Sequence, residues 1–168
     1  LPSVSITMPD GTSQYYNLIS TMAGTASDPP GTTPPAAGIY KTFVELKALN
    51  GAYQDEYWDN ILSTFTASWS EANNEAQYSA IGSTWSYSVS VPTSALINGV
   101  KYSVRVKARD KTYKDANFEG NDSLFFGPYT FNYDITTPTA TVTSVLNGQI
   151  RSSISIASGT ILEDMVID

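Results

Sequence analysis

The chain contains no cysteine and no histidine. Without cysteine no disulfide braces the fold, and no thiolate is on hand as nucleophile or metal ligand. Without histidine the commonest general base near neutral pH and the commonest transition-metal ligand are both missing. Charge is scarce too, at 15% of 168 residues, which is low for a soluble domain. The nine Lys and Arg are scattered and the net charge is -7, so no basic face exists to follow a phosphate backbone and nucleic acid is set aside as a partner. No apolar run reaches the roughly 18 residues of a membrane-spanning helix. The chain opens at Leu1 without a signal-peptide pattern, the expectation for a processed chain or an excerpt.

What the chain has is 41% apolar residues and a polar remainder built from Ser, Thr, Asn, Tyr and Gly. That mix suits an all-β secreted protein and disfavours long helices. The organising stretch is 96–110, Leu-Ile-Asn-Gly-Val-Lys-Tyr-Ser-Val-Arg-Val-Lys-Ala-Arg-Asp. Tyr102, Val104, Val106 and Ala108 alternate with Ser103, Arg105, Lys107 and Arg109, the period of a strand with one face in a core and one in water. Asn98-Gly99 supplies a turn just before it. A tyrosine so placed, its ring buried and its hydroxyl returned to nearby backbone, resembles the tyrosine corner of immunoglobulin-like sandwiches. The segment is similar to strand F of fibronectin type III and bacterial extracellular immunoglobulin-like tandem repeats. The resemblance implies an antiparallel β-sandwich of about seven strands.

Taken in order, Val4, Ile6 and Met8 mark a first edge strand ending at Pro9-Asp10-Gly11, and a second strand spans about Ile19 to Ala26. Four prolines between Pro29 and Pro35 forbid a ladder strand there. Residues 39–49 return to alternation, with Tyr40, Val44, Leu46 and Ala48 on one face. Asn50-Gly51 predicts a hairpin into a strand around Tyr53 to Trp58. An irregular insertion runs to about residue 83, with a short helical turn expected over Glu71 to Gln77. Trp85, Tyr87 and Val89 resume the sheet, and Tyr129, Phe131 and Tyr133 form its last strand.

The pattern then restarts. Pro138-Thr-Ala-Thr-Val-Thr matches Pro2-Ser-Val-Ser-Ile-Thr at an offset of 136, and Ser158-Gly159-Thr160 matches Ala23-Gly24-Thr25 at an offset of 135. The expectation is a module over 1–137, with its insertion at about 50–83, followed by the first strands of a second repeat over 138–168. A segment that short does not fold alone. It pairs either in cis or by strand addition to a neighbouring chain, as pilus subunits do.

Two candidate ligand sites and one candidate catalytic pair follow. Asp28, Asp110, Asn117, Glu119 and Asp134 lie near module ends, and oxygen ligands without His or Cys would suit Ca²⁺. The resemblance implies that such ions stiffen linkers between repeats, although no cofactor is required. The competing role is hydrogen bonding to turn backbone. Tyr53, Tyr57, Trp58 and Trp69, with Phe65, would stack on sugar rings if displayed, and would form a satellite core if the insertion folds over the sheet. Glu71 and Glu75 are candidates for a glycosidase pair, but nothing nearby raises either pKa, and no Gly-x-Ser or P-loop signature is present. Asn121-Asp122-Ser123 fits the N-glycosylation triplet. The expected core is Trp85, Tyr102, Val104, Val106, Phe131 and Tyr133.

The function expected is therefore a non-catalytic structural module of an extracellular or cell-surface tandem array, stalk or filament. It would contact neighbouring repeats or identical subunits through β-strands. The alternative is a carbohydrate-binding or adhesin module.

Overall fold

The structure, a computed structural model, describes residues 1–12, 15–29, 36–89, 96–112, 120–143, 153, 156 and 158–162. The chain divides into two compact units, Leu1–Asp134 and Ile135–Asp168.

The first unit is built from β1 (Ser3–Met8), β2 (Tyr15–Tyr16), β3 (Thr21–Ser27), β4 (Ile39–Ala48), β5 (Tyr57–Asp59), β6 (Thr64–Thr66), β7 (Glu75–Ser79), β8 (Thr84–Ser88), β9 (Val100–Asp110) and β10 (Phe126–Tyr133). These join in one continuous order, β1-β3-β8-β7-β4-β9-β10-β2, with β5 and β6 hung on β4 as a side hairpin. β7 turns the corner, because Glu75 and Ala76 pair with β4 while Gln77, Tyr78 and Ser79 pair with β8. All pairings in this sheet are antiparallel except that of β2 with β10. The unit is thus all-β, with a curled, mixed sheet consistent with a β-sandwich or barrel.

Alternation explains the core. Tyr102, Val104, Val106 and Ala108 of β9 are fully buried, as are Val44, Met22 and Val89, with Leu46, Trp85 and Phe131 at about the same depth. Each such aliphatic or aromatic side chain contributes about 1.5–3 kcal/mol on leaving water, and with no disulfide available this burial carries the fold. Tyr133 is half-buried against the same cluster. A line of rings crosses the interior: Tyr53 stacks on Phe65 at 4.9 Å, Phe65 on Tyr102 at 6.3 Å, Tyr102 on Phe131 at 5.6 Å, and Tyr16 meets Phe131 edge-on at 5.6 Å.

Three local expectations change. A register shift between Ile39 and Lys41 lets Ile39 go inward and leaves Tyr40 48% exposed, while Thr42 points inward in step with Val44, Leu46 and Ala48. Asn50-Gly51 opens a 3-10 turn at Gly51–Tyr53, and the strand begins only at Tyr57. Glu75 to Gln77 belong to β7 and not to a helical turn.

The second unit holds β11 (Thr139–Val142) and β12 (Gly159–Leu162), which pair antiparallel with each other. Their geometry matches that of β1 and β3 position by position. Ser3↔Ser27, Val4↔Ala26, Ser5↔Thr25 and Ile6↔Gly24 in the first unit correspond to Thr139↔Leu162, Ala140↔Ile161, Thr141↔Thr160 and Val142↔Gly159 in the second. Side-chain bonds match as well. Ser3 Oγ donates to the Ser27 carbonyl at 3.3 Å as Thr139 Oγ1 does to that of Leu162 at 3.4 Å. Thr7 Oγ1 donates to the Ala23 carbonyl at 3.2 Å as Thr143 Oγ1 does to that of Ser158 at 3.3 Å.

Candidate functional site

The most chemically dense surface is the outer face of β4 and β9. Strand alternation places Phe43 and Glu45 on β4 beside Arg105, Lys107 and Arg109 on β9, successive β9 side chains on this face lying about 7 Å apart. The expectation that the alternate face of β9 meets water holds only in part, since Arg105, Lys107 and Arg109 stay partly exposed while Ser103 and their β4 neighbours are covered. Phe43 is 2% and Glu45 5% exposed, because Trp69, Glu71, Asp122 and Phe125 from distant loops close over it.

Charges and rings interleave there. Arg105 grips Glu45 through two bonds. Lys107 joins Glu71 and lies 2.9 Å from Asp122. Arg109 reaches Asp122 through Nε at 2.5 Å and Nη2 at 2.9 Å, and Glu71 through Nη2 at 3.0 Å. The Arg105 guanidinium sits 4.6 Å from the Phe125 ring centre and that of Arg109 5.1 Å from the Phe43 ring, with Lys107 5.6 Å from both Trp69 and Phe125. Burial pushes the Asp122 carboxyl up, but the bonds from Arg109 and Lys107 together outweigh it and hold the group below its ordinary value. The bond to Asp122 in turn raises Arg109. The carboxylate stays ionised at neutral pH, which suits it to pair with cations and not to donate a proton. Glu71 pairs with Lys107 and Arg109 while Glu75 pairs with Lys41 at 2.6 Å, so the two carboxylates are engaged by different cations.

A groove of about 590 Å³ opens where β7 parts from β4, lined by Tyr40, Lys41, Glu75, Gln77, Tyr78 and Lys111 among others. No family model, curated protein or solved structure matches the chain.

The oxygen-ligand set divides between two ends of the first unit. Asp28 Oδ2 accepts from Gly38 N at 3.0 Å, and the Gly38 carbonyl accepts from Lys111 N at 2.8 Å, which brings Asp28 close to Asp110. Asp110 is 3% exposed, and it accepts from Asn121 N at 2.8 Å, Thr112 N at 2.9 Å and Asn121 Nδ2 at 3.1 Å. Burial pushes its carboxyl up, but these bonds prevail and hold it below its ordinary value. Asp134 follows Tyr133, which pairs with Val100 at the other end of β9, roughly 30 Å of strand away. Asn117 and Glu119 lie outside the described residues. Among the described residues no three Asp, Glu, His or Cys side chains converge on one point. The Asn121 amide of the glycosylation triplet is engaged with Asp110.

The aromatic set divides between the two faces of the sheet. Trp58 is 3% exposed and packs edge-on against Phe65 at 5.4 Å, so it is a core ring and cannot serve as a sugar platform. Tyr53 offers its other side to solvent while stacked on Phe65. Tyr57 and Trp69 lie on the outer face, Tyr57 under Lys47 at 5.6 Å and Trp69 donating its indole N–H to the Val44 carbonyl at 2.9 Å. Trp85 and Tyr102 are both buried, and the Tyr102 hydroxyl accepts from Ile97 N at 2.8 Å.

Sequence reasoning missed a buried polar hub. Asn74, 1% exposed, accepts from the Tyr87 hydroxyl at 2.6 Å and from Asn60 N at 3.3 Å, and donates to the Ser70 carbonyl at 2.9 Å. Asp59, 4% exposed, accepts from Ile61 N, Leu62 N and Asn73 Nδ2. Together they tie the insertion to β8. The available signal was the Asn73-Asn74 pair in a segment whose anchors were sought only among its rings, Phe65 and Trp69.

Proposed function

We propose that this chain is a non-catalytic structural module of an extracellular tandem array, stalk or filament, which spaces and joins neighbouring modules through β-strand contacts. The observation that carries the reading is the match between the β1–β3 pair and the β11–β12 pair, in register and in side-chain hydrogen bonds. Two strands of one unit are repeated where a second module would begin, at the offsets of the sequence match. An immunoglobulin-like arrangement is supported by the strand order, with β1-β3-β8-β7 in one half and β4-β9-β10-β2 in the other. It is also supported by the buried Tyr102 bonded to backbone five residues earlier, the arrangement of a tyrosine corner. The outer-face charges are spent on one another, which favours a structural role for that surface.

Sedimentation and a glycan array test the proposal. The full chain is expected to self-associate as concentration rises, a chain ended at Asp134 to stay monomeric, and the array to show no binding. Specific glycan binding, or a full chain that stays monomeric throughout, overturns the reading.

A further inference from the structure

Gly24 and Gly159 hold corresponding places in the two units, opposite Ile6 and Val142. At Gly24 a Cβ would lie 2.0 Å from the Ser5 carbonyl oxygen and 2.7 Å from the Trp85 indole. A side chain here is shut out first by the Ser5 carbonyl, and the Trp85 ring lies across the same space. Trp85 stands opposite Gly24 in the β3–β8 register and donates its Nε1–H to the same Ser5 carbonyl at 3.0 Å. At Gly159 a Cβ would lie 2.3 Å from the Thr141 carbonyl oxygen, and Thr141 is the counterpart of Ser5. The same bare backbone therefore sits beside the same carbonyl. Around it Val142 is 63% and Ile161 77% exposed, whereas their counterparts Ile6 and Ala26 are 5% and 1% exposed. Among the described residues β12 pairs with β11 and with no other strand.

Resting on the reading of 135–168 as the opening of a second module, we propose that Gly159 is a socket for a tryptophan carried on a strand of the β8 type, Thr-Trp-Ser-Tyr-Ser. That strand runs antiparallel along β12 and places its tryptophan opposite Gly159 and its first threonine opposite Thr160, as Thr84 stands opposite Thr25. The indole N–H is donated to the Thr141 carbonyl. The occupant is fixed by the first unit, where β8 is the strand seated on the matching pair. A ring lying flat over glycine also buries more apolar area than an aliphatic side chain could at that point.

The test uses the full chain extended after Asp168 by a flexible Gly-Ser linker and a second copy of residues 82–89. The tether holds the copy at an effective concentration of about millimolar. Amides of residues 159–162 are expected to exchange with solvent about tenfold more slowly than in the unextended chain, and the added indole emission to move to shorter wavelength. Trp85→Ala in the added copy alone removes both effects while leaving the β11–β12 pair untouched. Trp85→Phe there, which fills the face without a donor, retains only part of the protection. Unchanged exchange at 159–162 overturns the proposal, as does protection that survives Trp85→Ala in the copy. Self-association of the unextended chain is measured alongside, so loss of the socket and loss of the joining role are read separately.

Discussion

Arg105 holds Glu45 through two parallel bonds, Nε to Oε1 at 2.8 Å and Nη2 to Oε2 at 2.7 Å, on the covered outer face of the sheet. The Glu45 side chain is 6% exposed and that of Arg105 38%. Removing the cation strands a buried carboxylate, while water can enter where the guanidinium was. Arg105→Ala is therefore expected to cost about 2 kcal/mol, less than a fully buried pair would. Arg105→Lys, which keeps the charge and loses the fork, should cost about half as much. Urea denaturation measures both, and equal midpoints for the two variants would show that the second bond adds nothing.

The acid limb of stability should follow Asp110 and Asp122. Both have folded-state pKa values below the ordinary 3.8, so their contribution is fully present above that value and is lost as pH falls through the folded ones. The thermal midpoint is expected to be flat between about pH 7 and pH 5 and to fall below about pH 4. Asp110→Asn and Asp122→Asn should each shallow that fall. A midpoint that holds steady down to strong acid contradicts the assignment.

Tyr102→Phe removes the acceptor of the Ile97 N–H and leaves the ring in place. The expected loss is about 1 kcal/mol, the net value of one hydrogen bond. The same hydroxyl, pushed up to about 12 by burial despite that bond, should resist ionisation in an alkaline spectrophotometric titration of the folded chain.

Thr42 is fully buried, and its Oγ1 has no hydrogen-bond partner. An isosteric Thr42→Val removes the unpaired group without opening a cavity. It is expected to stabilise the first unit by about 1 kcal/mol, seen as a higher urea midpoint with an unchanged slope.

The inward row of β9 and the Trp85 strand were legible because period-two alternation is local and Tyr102 announces its own surroundings. The outer row was only half legible. Its charges were seen, but the side chains that cover them, Trp69, Glu71, Asp122 and Phe125, come from loops whose positions no local pattern encodes. The shift between Ile39 and Lys41 was hidden for another reason: one extra residue in a strand leaves no mark in composition, yet it moved Tyr40 out and let Ile39 in. β7 escaped notice because Glu-Ala-Gln-Tyr-Ser offers weak alternation, and its place is set by pairing with both β8 and β4. The aromatic insertion read as one group, but the hairpin of β5 and β6 sends Trp58 and Phe65 to the core side while Tyr57 and Trp69 stay outside.

The pairing of β2 with β10 is parallel, with Tyr15 opposite Asn132, Tyr16 opposite Tyr133, and Asp134 N donating to the Tyr16 carbonyl at 2.9 Å. Tension applied across the first unit arrives at these two short strands from opposite directions. They must slide past each other lengthwise, so their bonds are loaded in shear and yield together, where an antiparallel pair at the same place would peel open one bond at a time. Were the first unit stretched between its ends, part of its resistance would come from a contact only two residue pairs long.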